Sequence, residues 1–462
     1  MISGDTIAAI ATAPGRGGVA VVRVSGSEAF RVAERLTQGC FAKGEAASSP
    51  LVRIRKIRFP SSGGDAASPL SDAASPLIDE SIVLAFKSPR SYTGEDVVEF
   101  QCHGGTVTPR RVLAACLAAG ARLARRGEFT ERAFLNGKLD YSQAESVLDL
   151  IDAKTARAAD AALEGLSGRR QRECRALYEQ ALDLSTRLEH ALDIDEGELP
   201  ADFLPAIASS VSRLKSSLAL AIRRAAEGHL LKSGALVVLA GPPNAGKSSL
   251  LNALLDENRA IVSDVPGTTR DSIEAWIDLD GWPIRLVDTA GLREAKDEIE
   301  GEGVRRTEEL LSKADVVVLF QVSSFKFQVS GFDSNDLKRE TCNLKLIPIH
   351  AKCDLNRGEG LNVSAKTGEG LDELKRAIVA KLEEKVAASD DGDVPEGDVV
   401  AYQEALALLD GGRETEDVRR EEDLVLMANS VRAVAERLGL AIGATYSSDM
   451  LDNLFSRFCV GK

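Results

Sequence analysis

The sequence lacks the features of secreted and membrane proteins. Its seven cysteines include no C-x-x-C pair and no basic, apolar leader opens the chain, so neither a disulfide framework nor export is indicated and a reducing cytoplasm is expected. No apolar run reaches the roughly 18 residues needed to cross a bilayer. We therefore expect a soluble, cytoplasmic protein without membrane attachment.

Aromatic residues and positive charge are also scarce. Aromatics make up 5% of the chain, which suits helices rich in alanine and leucine better than an aromatic β-sandwich. The formal net charge is −14, which argues against broad binding of a phosphate backbone, because such binding needs a concentrated lysine and arginine surface. If nucleic acid is the substrate, a partner protein is expected to make most of the binding contacts with it.

The strongest motif present is a glycine-rich loop between an apolar strand and an apolar helix. Residues 236–240 read LVVLA, 241–249 read GPPNAGKSS and 250–255 read LLNALL. This order matches G-x-x-x-x-G-K-[ST], in which backbone N–H groups cradle phosphates, Lys247 reaches the outer phosphates and the Ser248 hydroxyl ligates Mg²⁺. The candidate nucleotide-binding residues of this loop are Asn244, Ala245, Gly246, Lys247, Ser248 and Ser249.

A second motif follows the apolar strand at 284–287. Its residues are Asp288, Thr289, Ala290 and Gly291. They place a carboxylate and a glycine N–H where Mg²⁺ and the γ-phosphate would sit, so the two motifs together predict a nucleoside triphosphatase. Ras-type GTPases carry glutamine directly after this glycine, but Leu292 stands here and another residue must position the attacking water. Arg270 and Arg293 are possible arginine fingers, although surface roles suit both.

The base is predicted to be guanine. P-loop GTPases recognise guanine through an Asn-Lys-x-Asp signature. This chain has Lys352 and Asp354 but carries Ala351 in place of the asparagine. The segment Ser364, Ala365 and Lys366 fits the loop whose backbone completes the base site. We predict GTP binding that is weaker than with an asparagine, because the methyl group of Ala351 cannot replace the hydrogen bonds of an amide.

The remaining chain predicts a multidomain protein with the nucleotide domain inserted in a helical one. Strands are expected at 6–12, 19–24, 81–86 and 96–102, and long helices through the proline-free stretch up to Pro200, broken near 165–168. Residues 45–78, rich in Ser, Ala, Pro and Gly, predict a surface loop. Within it, alternation with apolar residues favours a half-exposed strand over a basic patch. The basic residues concerned are Arg53, Arg55, Lys56 and Arg58.

The predicted domains are an α+β opening domain at 1–138, the first half of an all-α domain at 139–228, an α/β P-loop domain at 229–386, and the second helical half with a C-terminal tail at 387–462. An acidic linker is expected at 390–396. Taken alone, the helical stretch could equally be a scaffold without a further role.

Several segments together resemble one family. They are Asn244 in the phosphate loop, DVPGTTRD at 264–271, DTAGLRE at 288–294, DTI at 5–7, PGRGG at 14–18, YTGED at 92–96, GEFTERAFLNGK at 127–138 and FCVGK at 458–462. These segments look like the MnmE (TrmE) family of tRNA-modifying GTPases. The resemblance covers nearly the whole chain, and GTPases with other tasks lack both the opening domain and the Cys-x-Gly-Lys ending. Ala351, the segment 45–78 and a divergent stretch at 323–339 depart from the family.

The resemblance implies how hydrolysis is assisted. Family members use a K⁺ ion beside the β- and γ-phosphates where other GTPases use an arginine finger. The positions that match its ligands are Asn244, Thr268 and the carbonyls of Ser263 and Val265. Thr269 and Ser248 match the Mg²⁺ hydroxyls, and Glu300 matches the water-orienting carboxylate that would fill the gap at Leu292. Without the family, Glu300 would be part of a solvated charged face.

The resemblance also implies a folate site in the opening domain. The family binds 5,10-methylenetetrahydrofolate, or a 5-formyl analogue, at a homodimer interface. Arg23, Glu99 and Lys138 match its binding positions and offer charges for a glutamate tail and a pterin ring, although without the family each would be an ordinary surface charge. The tail with Cys459 and Lys462 would reach towards this site, whereas composition alone suggests a frayed end.

The implied function is a K⁺-stimulated GTPase that acts as a homodimer on tRNA. With an FAD- and NADH-dependent MnmG-type (GidA) partner, in a heterotetramer or larger complex, it would install an aminomethyl-type group at C5 of wobble uridine 34. A GTP-switched ribosome assembly factor and a folate-binding carrier with a vestigial G domain stay open as alternatives. The absence of an RNA-binding module after the G domain disfavours the first of them.

Overall fold

The chain divides into two compact units. A computed structural model describes residues 4–39, 51–60, 76–194, 199–200, 202–257, 274–289, 309–321, 346–358, 360–389, 398–410, 421–443, 451 and 454–462. One unit comprises Met1–Leu148 with Thr445–Lys462, and the other comprises Asp149–Ala444. Within the described ranges, no helix combines the length and the hydropathy needed to cross a membrane.

The first unit is built on a six-stranded sheet. Its strands are β1 (Ile7–Ile10), β2 (Val19–Ser25), β3 (Leu51–Arg58), β4 (Leu77–Phe86), β5 (Val97–His103) and β6 (Arg122–Leu123). Their spatial order is β3-β4-β5-β2-β1-β6, and every pairing except the parallel β1–β6 contact is antiparallel. The four strands expected from the sequence are confirmed. The surface loop expected over 45–78 is wrong for 51–58, where the half-exposed strand predicted for the basic run is confirmed as β3, and for 77–78, which begin β4. Residues 45–50 and 61–75 lie outside the described residues.

Helices cover one face of this sheet. They are α1 (Ala29–Thr37) and α2 (Thr108–Ala118), and α3 (Glu128–Leu135) and α4 (Tyr141–Asp152) follow them in the chain. Alternate strand residues such as Val22 and Phe100 pack against Leu36 and Val112 in one buried core. α1 and α2 therefore bury one face of the sheet, while Phe129 of α3 is buried with Ile7 and Ala9 of β1 on the other face.

A second core in this unit involves the end of the described chain. Phe455 and Phe458 are buried with Ala144 and Leu148 of α4, and the rings of Phe455 and Phe458 lie 6.1 Å apart. Residues far apart in the chain are thus held together by an aromatic cluster, which gives the tail a fixed base.

The second unit contains helices and a second sheet. Its helices are α5 (Ala156–Leu166), α6 (Arg169–Leu192), α7 (Phe203–Ser233), α8 (Lys247–Glu257), α9 (Leu371–Ala387), α10 (Asp398–Asp410) and α11 (Glu421–Gly443). The expected break near 165–168 is confirmed, since Gly168 begins α6 in the left-handed conformation with φ of 76°. Leu188 and Leu218 share a core with Val431 and Leu438, so one helical core is built from chain on both sides of the nucleotide domain.

The second sheet is mostly parallel. Its strands are β7 (Ala235–Ala240), β8 (Glu274–Leu279), β9 (Trp282–Asp288), β10 (Val316–Gln321), β11 (Leu346–Ala351) and β12 (Leu361–Val363). Their order is β12-β11-β10-β7-β9-β8, with only β8 antiparallel to its neighbour. The predicted α/β fold is confirmed, and ligands of such sheets bind at the carboxyl ends of the strands. The four domain boundaries stay predictions.

Candidate functional site

The phosphate loop connects the buried strand β7 to the helix α8. Gly246 and Asn244 have left-handed φ values of 101° and 59°, which let the chain turn between β7 and α8. Lys247 is only 4% exposed, and its Nζ donates to the carbonyl oxygens of Gly241 at 2.9 Å and Pro242 at 2.8 Å. The ammonium group is therefore held over the loop that would cradle the phosphates.

A hydroxyl and a carboxylate meet beside this lysine. Ser248 Oγ donates to Asp288 Oδ2 at 2.6 Å, because β7 and β9 are neighbours with Leu239 opposite Asp288. Thr289 Oγ1 donates to the Leu239 carbonyl at 3.0 Å and fixes the end of β9. Oxygen donors of this kind, completed by substrate phosphates, form the set that Mg²⁺ accepts. Among the described residues, no group of three or more His, Cys, Asp or Glu side chains could hold a metal by itself.

The expected base-binding residues lie at the end of β11. Ser364 Oγ donates to Asp354 Oδ1 at 2.7 Å, which orients the carboxylate, and Lys352 Nζ donates to the Asn244 carbonyl at 2.8 Å. The structure thus brings the phosphate loop and the base loop together through Lys352. Ala351 ends the strand and contributes only a methyl group. Ala365 and Lys366 follow Ser364 directly, and Ser249 lies exposed on α8.

Sequence patterns missed one residue that braces this loop. Asn362 accepts a hydrogen bond from the Gly358 N–H at 2.9 Å and donates to the carbonyls of Gly358 at 3.0 Å and Gly360 at 2.9 Å. Its amide closes the segment between Asp354 and β12. An asparagine in a short polar stretch carries no motif, so only the folded contacts identify it.

Several predicted site residues lie outside the described part of the chain. They are Ser263, Val265, Thr268, Thr269, Ala290, Gly291 and Glu300, with the possible arginine fingers Arg270 and Arg293. The stretch 323–339 and the linker 390–396 also lie outside it. The K⁺ ligand set and the water-orienting role therefore stay predictions.

In the first unit, two of the three predicted folate residues form a pair. Arg23 Nε donates to Glu99 Oε1 at 2.7 Å, since the two residues are opposite each other on β2 and β5. The Arg23 guanidinium lies 5.1 Å from the ring centre of Tyr92 and 5.6 Å from that of Phe129. A cation held between a carboxylate and two rings offers charge and stacking to a planar ligand. Lys138 is exposed and donates to the Pro89 carbonyl at 3.2 Å.

His103, at the end of β5, contacts a carboxylate of β4. His103 Nδ1 lies 2.7 Å from Asp79 Oδ1, and the His103 N–H donates to the same carboxylate at 2.8 Å. Burial would raise the pKa of Asp79, but these hydrogen bonds outweigh it and lower that pKa. His103 therefore has a structural role, in which it ties the end of β5 to Asp79.

The tail is docked on the segment before and at the start of α3. Val460 forms a β-bridge with Arg126, whose Nε donates to the Phe458 carbonyl at 2.9 Å, and the Phe129 N–H donates to the Lys462 carbonyl at 3.1 Å. The interpretation of this end as frayed is wrong for residues 454–462. Phe129 links the tail to the folate candidates, because its backbone holds Lys462 and its ring contacts the Arg23 guanidinium.

A network of charges around the buried Glu128 and Arg132 fixes the start of α3. Arg132 donates to Glu95 at 3.0 Å, to Asp5 at 2.8 Å and to Glu128 at 3.2 Å, and Arg122 donates to Glu128 at 2.6 Å. Burial opposes ionisation of Glu128, yet hydrogen bonds from Arg122, the Arg125 N–H and Arg132 outweigh it and lower the Glu128 pKa from 4.5 to about 2. This network holds Phe129 and, through it, the tail.

Glu128→Gln should destabilise α3 and its surroundings by about 3 kcal/mol at neutral pH, because it leaves the charges of Arg122 and Arg132 without their buried partner. A carboxylate whose pKa is lower in the folded than in the unfolded protein stabilises the fold at pH values above its unfolded pKa. The deficit of the variant should therefore narrow as pH falls from 4.5 towards 2. Amide hydrogen exchange of α3 measures the difference. The control Glu131→Gln removes an exposed pair with Arg125 and should cost less than about 1 kcal/mol; equal effects of the two changes would contradict the role of Glu128.

The chain is similar to known proteins over both units. A family model described as GTP-binding protein TrmE N-terminus matches residues 6–138, and one described as MnmE helical domain matches residues 141–459. A protein of Symbiobacterium thermophilum named tRNA modification GTPase MnmE is 40% identical over 471 residues, covering 99% of each chain. Two further proteins of the same name are similar to this chain. The one from Syntrophus aciditrophicus is 40% identical over 482 residues, with 99% of each chain covered. The one from Heliobacterium modesticaldum is 38% identical over 494 residues, with 99% of this chain and 100% of the relative covered.

Proposed function

The chain belongs to the MnmE family of tRNA modification GTPases, and from this membership we propose that it hydrolyses GTP while modifying C5 of wobble uridine 34 in tRNA. The observation that carries the proposal is the contact of Ser248 with Asp288 next to the buried Lys247, in a chain whose family similarity runs through its whole length. The alternative of a ribosome assembly factor has no such support from the opening domain.

Residues of the phosphate loop perform the binding step. When GTP binds, the Lys247 ammonium leaves the carbonyls of Gly241 and Pro242 and donates to the outer phosphate oxygens. The new hydrogen bond is charge-assisted. The N–H groups at the start of α8 bind the remaining oxygens. Ser248 and Thr269 are the hydroxyls that would hold Mg²⁺, which when bound neutralises phosphate charge. Glu300 is proposed to orient the attacking water in place of Leu292.

We expect hydrolysis to depend on the monovalent cation. Asn244, in a left-handed loop conformation, is the described member of the proposed K⁺ ligand set, and no arginine finger is assigned to this site. An arginine finger is worth roughly 10³ to 10⁵ in rate, so a cation that replaces it should give at least about a tenfold faster rate in KCl than in NaCl. Steady-state GTP hydrolysis at matched ionic strength measures the ratio, and equal rates would contradict the proposed K⁺ site.

Ala351→Asn should tighten binding of both GTP and GDP by roughly 1 to 2 kcal/mol, the scale of a hydrogen bond regained in a desolvated site. The expected gain depends on Asp354 already being oriented by Ser364, so that the new amide adds to a formed base site. Calorimetric titration of the variant and the parent chain gives the difference. Unchanged affinity would mean that the loop braced by Asn362 already supplies a partner for the base.

The opening domain is proposed to hold the one-carbon donor. Arg23 and Glu99, with Lys138 and Lys462, would bind 5,10-methylenetetrahydrofolate or a 5-formyl analogue, which supplies the carbon of the transferred group. The fit rests on the half-buried Arg23 between the rings of Tyr92 and Phe129. The Tyr92 hydroxyl lies 2.9 Å from Thr130 Oγ1 and burial raises its pKa, so this ring is held in place as a neutral surface beside Arg23.

A second copy of the chain is proposed to complete this site. The sheet face opposite α1 and α2 carries the half-exposed to exposed side chains of Val52 (56%), Ile54 (65%) and Ile82 (40%). Val52, Leu84, Glu99 and Arg23 lie opposite one another on successive strands, so this apolar surface is continuous with the Arg23–Glu99 pair. An apolar face of this extent favours burial against a partner, which supports the homodimer. We further propose that the chain acts with an FAD- and NADH-dependent MnmG-type (GidA) partner in a heterotetramer or larger complex. This partner would make most of the contacts with the tRNA.

Mass spectrometry of wobble uridines in a deletion strain tests the function. The proposal predicts loss of the C5 substituent and its return on expression of the intact chain. Fully modified uridine in the deletion strain, together with a ribosomal subunit defect, would favour the assembly factor instead.

A further inference from the structure

The strand β3 concentrates positive charge at an edge of the first sheet. It carries Arg53, Arg55, Lys56 and Arg58 within its eight residues, although the whole chain has a formal net charge of −14. In the described part of the sheet, β3 pairs with β4 on one side and with no strand on the other. This cluster is not explained by the GTPase site or by the folate candidates.

The cationic side chains surround a recess next to the end of α1. Its volume is about 380 Å³, and its lining consists of Arg55, Lys56, Arg58, Thr37, Gln38, Ile54 and Glu80. Three of these side chains are cationic and one is acidic, so the recess is positive overall. Arg55 Nη1 donates to the Ile54 carbonyl at 3.0 Å, which holds the guanidinium along the strand edge. Lys56 lies opposite Glu80, and Gln38 adds a neutral amide.

We propose that this recess, the β3 basic edge, binds the phosphate backbone of the tRNA on which the chain acts; this rests on the proposed function. Guanidinium groups match phosphate oxygens in pairs, and a sheet edge that carries several cations and pairs with no further strand among the described residues fits the electrostatic footprint of nucleic-acid binding. A contact of this size positions an RNA, while most of the binding affinity comes from other contacts.

The location of the edge suits the proposed chemistry. In the sheet order, β4 alone separates β3 from β5, which carries Glu99. Val52 is the β3 residue in register with Glu99, and Arg55 to Arg58 lie three to six residues further along the strand. With about 4.8 Å between strands and about 3.3 Å per residue, the basic residues are roughly 14 to 22 Å from Glu99. A phosphate held there leaves nucleotides a few positions along the RNA within reach of the Arg23–Glu99 pair. An acidic protein segment would meet the same charges, but it has no reason to be needed near a one-carbon site.

Salt-dependent binding of a tRNA transcript to the purified full chain tests the proposal. Arg55→Gln with Lys56→Gln removes two cations from the edge. The matched control, Arg110→Gln with Arg111→Gln, removes two exposed cations from α2. Each lost phosphate contact should lower the slope of log K against log salt by about 0.7 to 0.9. The edge variant should therefore show a slope smaller by roughly 1.4 to 1.8 and an affinity about tenfold or more weaker near 0.15 M salt, whereas the control should match the parent.

Two further measurements separate folding and charge effects. Arg55→Lys with Lys56→Arg keeps both charges and should keep the salt slope, and thermal melting checks that the edge variant folds. Parent-like tRNA affinity in a folded edge variant would overturn the proposal, as would an equal loss in the control. If poly-glutamate binds the parent as tightly as the transcript and competes with it, the edge is a general anion surface and the assignment to RNA is wrong. Failure of the proposed function itself would appear separately, as unaltered wobble uridine in the deletion strain.

Discussion

Lys247→Ala should lower kcat/KM for GTP by about 10³-fold or more, which corresponds to roughly 4 kcal/mol of lost transition-state stabilisation. Lys247 is buried with its ammonium held by the carbonyls of Gly241 and Pro242, so it is already positioned beside the loop that binds the outer phosphates. Charge develops on those oxygens during transfer, and a pre-positioned cation stabilises that charge without reorganisation. Steady-state hydrolysis with a saturating range of GTP measures the effect.

The matched control is Lys313→Ala. Lys313 is an exposed lysine of the same unit whose Nζ donates to Glu309 at 2.7 Å, so its removal changes the net charge equally but touches no phosphate-binding group. It should hydrolyse GTP at the parent rate. If Lys247→Ala keeps more than about a tenth of the parent kcat/KM, phosphate binding at this loop depends on other groups and the assigned role of Lys247 is wrong.

The nucleotide site could be predicted closely because its parts are close in sequence or fixed by sheet topology. Lys247 and Ser248 belong to one loop whose motif specifies its conformation. Asp288 comes directly after an apolar strand, and parallel strands bring their carboxyl ends to one edge, so the contact between Ser248 and Asp288 follows from two local patterns. Asp354 and Ser364 meet for the same reason, at the ends of β11 and β12.

The opening domain could be predicted only in part. Strand patterns located β2 and β5, but the pairing of Arg23 with Glu99 depends on the register between strands 76 residues apart, and no local pattern determines that register. Likewise, the composition of the last residues indicated a frayed end, because composition does not show whether a segment packs against another part of the protein. The buried rings of Phe455 and Phe458 and the β-bridge between Arg126 and Val460 hold the tail, and these are tertiary contacts that a local pattern does not contain.

Gly461→Ala should abolish wobble uridine modification while GTP hydrolysis stays at the parent rate. A Cβ at Gly461 would lie 2.1 Å from the Ile10 carbonyl oxygen, and the φ of 104° is itself unfavourable for alanine. The clashing atoms belong to the backbone of β1, so they cannot rotate away as a side chain would, and the tail must leave its dock instead. Lys462 would then lose its backbone hydrogen bond to Phe129, whose ring lies 5.6 Å from the Arg23 guanidinium, whereas the phosphate loop belongs to the other unit and keeps its contacts.

Gly39→Ala separates the clash from the backbone strain. Gly39 has a similar φ of 97°, but no atom of the described residues lies within 4 Å of the position that a Cβ would take there, so alanine carries the same conformational penalty without a steric conflict. Strains expressing each variant are compared by mass spectrometry of the wobble uridine, and the purified chains are compared by GTP hydrolysis in KCl. Because only displacement of the tail distinguishes the two changes, full modification with Gly461→Ala would show that the docked tail has no part in the chemistry, and equal loss in both would assign the defect to strain.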